Sequence, residues 1–154
     1  IEKFVDGMDR KVCSSECGFV HWDNPTPVVA ALVEHEDKII LARNVKWPHG
    51  IFSLITGYLE KNETPEQAIV REVKEELNLE VKKKWFIGHY YFMEMNQILM
   101  AYGLTATGEI TTNDEIAEIK CVSRELLRSY NFGRLYLTTK IVNDWFENPR
   151  NGSI

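Results

Sequence analysis

The order of apolar and polar positions divides this chain into short elements whose period alternates between that of a strand and that of a helix. Val28 to Val33 is an unbroken, β-branched apolar run, the composition of a buried strand. Glu34 to Asp37 supplies a turn and Lys38 to Ala42 a second strand, so the two read as a hairpin. Arg43 to Gly50, containing Trp47-Pro48-His49-Gly50, is a loop; Ile51 to Thr56 is a short strand ending at Gly57. A polar loop over residues 58–63 leads into the clearest helix. Thr64 is its N-cap, Pro65 suits the first helical position, and Gln67 completes a capping box. Ile69, Val73 and Leu77 recur every four residues as its buried stripe, and Asn78 suits a left-handed cap at its end. Trp85 to Phe92 and Ile98 to Thr107 read as strands joined by the Met93–Gln97 loop, and Ala117 to Val122 as one more. Ser123 opens a short helix, and Leu135 to Phe146 forms a longer closing one. Strands mixed with a few helices predict an α/β sandwich over residues 27–150. Residues 1–26 stand apart: polar, with Cys13, Cys17, Gly18 and the turn-rich run from Trp22 to Pro27.

The bulk numbers narrow this picture. A chain of 154 residues, 44% hydrophobic and 27% charged, can bury a core as one domain without disulfides. A net charge of -5 offers no basic excess to displace the counterions of a nucleic-acid backbone. It leaves a small phosphate substrate open, because a bound cation reverses the local field. No run approaches the roughly 18 apolar residues of a membrane span, and no secretory signal is visible. The three cysteines, Cys13, Cys17 and Cys121, read as thiols of a reducing, cytoplasmic compartment, with Cys121 a small buried residue in its strand. A first residue that is Ile1 rather than Met suggests a processed or partial version of a longer product.

The chemistry concentrates on the capped helix. Glu72 and Glu76 are four residues apart and Glu72 and Glu75 three apart, so all three carboxylates share one helical face. Like charges so spaced repel by a few tenths of a kcal/mol per exposed pair. They are either a solvated acidic face, softened by Arg71 and Lys74, or the oxygen cluster a hard divalent cation requires.

Gly57, Glu63, then Arg71-Glu72-Val73-Lys74-Glu75-Glu76-Leu77-Asn78-Leu79 resembles the signature of the Nudix hydrolase family over its full length. Every fixed position matches except the last glycine, here Asn78, the usual non-glycine residue for a left-handed cap. The resemblance implies a Nudix α/β/α sandwich with a mixed β-sheet, and hydrolysis of a pyrophosphate bond with Mg2+ or Mn2+. By position, it implies Glu72 and Glu76 as principal metal ligands, Glu75 as a further ligand or neighbour, and the Gly57 carbonyl in the metal shell. It makes Arg71 the residue that orients these carboxylates and Glu63 its brace, although Glu63 also fits a helix start favoured by the dipole. The base is assigned to Glu76 or to a more distal acid. Asn113-Asp114-Glu115-Ile116-Ala117-Glu118 is similar to a segment of Nudix NADH pyrophosphatases whose first glutamate completes the metal site, which makes Glu115 the choice and Glu118 the reserve.

Cys13-Ser-Ser-Glu-Cys17-Gly18, followed by His21, resembles the second half of a zinc ribbon found ahead of some Nudix domains. Zn2+ at Cys13 and Cys17 needs two further ligands, from a preceding segment or in part from His21; otherwise the pair binds nothing. Tyr90, Tyr91, Phe92 and Met93 are candidates for stacking on a base, or else are core, as are Trp47 and Phe52. Arg43 or Lys46 either touches phosphate or is a solvated surface charge. The stretch Gly88 to Met95 lacks the proline- and tryptophan-bearing motif of NADH pyrophosphatases, which sets NADH itself in doubt. The expected substrate is a nucleoside diphosphate linked to another moiety, such as a dinucleotide or ADP-ribose. Nucleoside triphosphates, or a non-catalytic nucleotide-binding Nudix module, are the alternatives. Many members of the family are dimers, so a homodimer is expected too.

Overall fold

The structure, a computed structural model, describes residues 1–15 and 17–148. The polar N-terminal segment is folded. It forms β1 (Glu2–Val5), β2 (Met8–Val12) and β3 (Val20–His21), a small antiparallel sheet in that order. Asp6 and Gly7, both with positive φ, turn β1 into β2. Asp-Gly is a strong hairpin signal, but the exposed side chains that flank it lack the apolar alternation of a strand.

The predicted hairpin follows as β4 (Thr26–His35) and β5 (Lys38–Asn44), turned by Glu36 and Asp37 in the left-handed region. Next is β6 (Ile55–Tyr58), shorter than the predicted strand from Ile51; upstream of it only Ser53 pairs, with Ala42. After α1 (Pro65–Leu77) comes β7 (Glu80–Phe92), which begins five residues before its predicted start at Trp85. A 3-10 turn at Met93–Met95 leads to β8 (Gln97–Thr107), then β9 (Ile116–Ser123), α2 (Arg124–Arg128) and α3 (Tyr136–Glu147). The predicted domain end at residue 150 lies outside the described residues.

The main sheet has six strands in the order β7-β8-β4-β5-β9, with β6 against β4. β4 and β8 run parallel and the other pairs antiparallel, the mixed sheet expected. β4 divides its pairing: Val28 to Ala31 match β6, and Val33 to His35 match β5. Its alternate side chains enter two cores. Val29, Ala31 and Val33 pack with Ile69, Val73 and Leu77 of α1 on one face. Val28, Ala30 and Leu32 pack with Ile141, Val142 and Trp145 of α3 on the other. Two helical layers enclosing a sheet make an α/β/α sandwich.

Cys121 departs from expectation. It is exposed, not buried, because β9 is the edge strand and α1 covers β4, β6 and β7. Among the described residues no helix is long and apolar enough to cross a membrane.

Candidate active site

α1 is fixed at both ends by the residues its sequence supplies. Gln67 N donates to Thr64 Oγ1 at 3.3 Å and Thr64 N donates to Gln67 Oε1 at 2.8 Å, closing the capping box. At the other end Asn78 adopts φ 58° and its N–H donates to the Lys74 carbonyl. With Ala68, Ile69, Val73 and Leu77 fully buried, the helix cannot roll, and Glu72 and Glu76 are carried to the margin of the stripe. They are 9% and 5% exposed, whereas Glu75 points outward to solvent. The acidic face is therefore not the solvated one that spacing alone left open.

Gly57 of β6 lies opposite Val29 and directly against Glu72; a β-carbon built there would overlap the Glu72 carboxyl group. Arg71 donates through Nε and Nη2 to both oxygens of Glu63, at 3.1 and 2.7 Å. Its Nη1 donates to Glu72 Oε1 at 2.8 Å and Glu75 Oε2 at 3.1 Å, and its Nη2 to the Tyr58 carbonyl at 3.1 Å. Such a forked, largely sheltered pairing is the geometry in which Arg serves better than Lys. The Arg71 hydrogen bonds hold the Glu63 carboxyl below its usual range. The Tyr58 carbonyl is a contact that no side-chain pattern in the sequence could signal.

Glu76 differs from its neighbours. Among the described residues no hydrogen bond or ion pair reaches its carboxylate. Burial first, then repulsion from Glu72, Glu115 and Glu75, pushes its pKa up to about 8. Burial also raises Glu72, against the opposing pull of Arg71. Glu115 thus lies near enough to both to act on them. It precedes β9, with its N–H donating to Asn113 Oδ1 at 3.1 Å and its carbonyl accepting from Val45 N at 2.9 Å. The structure therefore gathers Gly57, Glu63, Arg71, Glu72, Glu75, Glu76 and Glu115 in one region.

It does not bring Tyr90, Phe92 and Arg43 to them. Tyr90 is buried on the α3 face, where its hydroxyl donates to Asp144 Oδ2 at 2.7 Å. Phe92 packs on the same face, edge-on to the Tyr136 ring. Arg43 is not a solvated charge. It is buried, with Nε donating to Glu118 Oε2 at 2.6 Å and Nη1 to the Trp47 carbonyl at 3.2 Å. Tyr91 is half exposed, its hydroxyl donating to Asn96 Oδ1.

The residues present fit a divalent cation in two respects: a buried carboxylate with no positive partner, and a glycine that clears space beside a second one. Among the described residues, no three His, Cys, Asp or Glu side chains already converge as ligands, and Glu72 is turned toward Arg71. Zinc at Cys13 and Cys17 is not supported. Cys13 Sγ sits 2.9 Å from Ser15 Oγ, contacts to Ser15 and then Cys17 draw its thiol down to about 6, and His21 does not complete a group of three.

The NUDIX domain model matches residues 24–141. The chain belongs to the Nudix family. It is 29% identical over 121 residues to the NAD-capped RNA hydrolase NudC of Pseudomonas aeruginosa PAO1, covering 77% of this chain and 44% of that protein. It is 32% identical over 98 residues to the NudC of Photobacterium profundum, covering 64% and 36%. The chain thus spans less than half the length of these curated relatives. Among solved structures, a Nudix hydrolase from Nitrosomonas europaea superposes with a TM-score of 0.80 at 23% identity, over 99% of this chain and 88% of that one. The Nudix domain of Shewanella oneidensis NrtR, complexed with ADP ribose, gives 0.66 at 12% identity, over 80% and 87%. These likenesses place the six-stranded sheet and its helices in the Nudix fold.

Proposed function

We propose that this Nudix chain hydrolyses the pyrophosphate bond of a nucleoside diphosphate linked to another moiety, of the dinucleotide, ADP-ribose or NADH type, giving two phosphate-ended products. Glu76 carries the reading: a buried carboxylate among others of its own sign is unfavourable as an anion until a ligand brings positive charge. Oxygen donors of this kind take Mg2+ or Mn2+. Glu72, Glu76, Glu115 and the Gly57 carbonyl would hold the ion, with Glu75 at the solvent edge. When bound, it supplies charge neutralisation at the phosphates and an acidified water. Arg71, braced by Glu63, keeps the Glu72 carboxylate oriented. Glu76 or Glu115 accepts the proton of the attacking water.

The names of the NudC relatives make NAD-type substrates the first to test. The net charge of -5 favours a small nucleotide over a long RNA body. Three free thiols suit a cytoplasmic setting, with residues 1–26 a separate unit ahead of the catalytic domain and a homodimer as the assembly.

Incubation with NADH, NAD+, ADP-ribose, dinucleoside polyphosphates and dGTP, with and without Mg2+, tests the reading. Magnesium-dependent cleavage of any diphosphate-linked substrate, lost in Glu76→Gln, is expected. Pyrophosphate released from dGTP alone would point to triphosphate turnover. ADP-ribose bound without turnover, with wild type and Glu76→Gln alike, would point to a binding module.

A further inference from the structure

Arg43 buries a full charge and directs both bonded edges to the protein itself. It is 7% exposed and sits at the end of β5, where the pairing with β9 shifts between Arg43 and Asn44. Its Nε donates to Glu118 Oε2 at 2.6 Å, and its Nη1 to the Trp47 carbonyl at 3.2 Å. A guanidinium is a rigid fork. These two bonds therefore set the start of β9 and the loop after β5 in one arrangement.

Glu115 lies at the junction they hold. Asn44 pairs with Ile116, and Val45 N donates to the Glu115 carbonyl at 2.9 Å. On its other flank the Asn113 side chain accepts the Glu115 N–H. The Glu115 charge in turn falls on Glu72 and Glu76. If β9 slid away from the shifted end of β5, Glu115 would withdraw from the helix.

We infer that Arg43, acting through Glu118 and the Trp47 carbonyl, is a positioning residue that holds Glu115 near the Glu72–Glu76 pair. The inference rests on the reading that these carboxylates grip a divalent cation.

Mn2+ binding to the nucleotide-free protein, followed by water-proton relaxation, tests it beside kcat and KM. The variants are Arg43→Met, Arg43→Lys, Glu118→Gln, the Arg43→Met/Glu118→Gln double, and Glu115→Gln for reference. Arg43→Met and Glu118→Gln should each weaken Mn2+ about tenfold, as the loss of a group that orients a metal ligand does. Both should lower kcat with the nucleotide KM unchanged. The double should be no worse than either single, and Arg43→Lys should recover part of the loss. The Glu118 side chain is 51% exposed, so Glu118→Gln remains a folded test even if Arg43→Met does not fold. A raised KM in Arg43→Met with Glu118→Gln silent would make Arg43 a phosphate contact and overturn the inference. So would wild-type Mn2+ affinity in Glu118→Gln or Glu115→Gln. A wild-type chain that binds no Mn2+ would instead remove the metal-site reading, and this inference with it.

Discussion

Gly57 and Glu72 are packed so closely that the glutamate carboxyl group occupies the space a β-carbon at position 57 would need. Gly57→Ala is therefore expected to push Glu72 off its place and loosen its bond to Arg71. A misplacement of about 1 Å at a reacting centre can cost roughly 100-fold. Turnover in Gly57→Ala should fall by at least about tenfold while circular dichroism shows the fold retained. Unchanged kcat would show that Glu72 has no fixed role.

Glu76 couples the site to pH. Its folded pKa, about 8, lies above the ordinary value of 4.5, so folding favours the protonated form. That contribution is complete below about 4.5 and is lost as pH rises through about 8. Burial is the first cause, and the loss amounts to a few kcal/mol, on the order of 1.4 per pKa unit. Thermal melts of metal-free protein should fall in Tm between pH 5 and 8, and Glu76→Gln should flatten that slope. Millimolar Mg2+ should restore the wild-type Tm at pH 8 and leave Glu76→Gln unmoved.

Removing the repelling charge has opposite effects on stability and chemistry. Glu76→Gln at pH 8 without metal should melt at or above the wild-type temperature, yet turn over several orders of magnitude more slowly. Loss of both stability and activity would mean that the carboxylate is structural.

The Arg71–Glu63 fork should behave as one unit. Its side chains are 23% and 14% exposed, so removing one partner leaves a sheltered group short of its bonds. Each of Arg71→Met and Glu63→Gln should cost about 1–3 kcal/mol in denaturant unfolding, and the double about the same as the worse single. Strict additivity would show the two to be independent.

Asn78 is the departure from the family signature, and its φ of 58° explains the tolerance. Asn78→Gly should leave turnover unchanged and Tm level or slightly higher. Asn78→Ala should cost about 1 kcal/mol, because a left-handed alanine carries that penalty.

The helix and its acids were legible because every relation they use is local. Thr64 to Gln67, Glu72 to Glu76 and the cap at Asn78 are all set within about one helical turn. Glu115 was legible only through resemblance, since its neighbours Glu72 and Glu76 lie across the fold. The same distance hid what Tyr90 does: an aromatic on a strand looks ready to stack until Asp144, 54 residues on, takes its hydroxyl. Arg43 reads from sequence as a phosphate contact or a surface charge because Glu118 is 75 residues away. Cys121 looked buried because apolar neighbours do not reveal that a strand is the outermost one.

The strand that carries Gly57 is held to β4 by only four residue pairs, Val28–Tyr58 to Ala31–Ile55. A slip of one residue turns every side chain to the opposite face, and would set Thr56 or Tyr58 in front of the glutamates. The same slip would turn Ile55 out of the α1-side core, so the register that presents Gly57 is tied to the burial of that side chain. The alignment of the shortest main-sheet strand thus decides which residue faces Glu72, and the core itself enforces that choice.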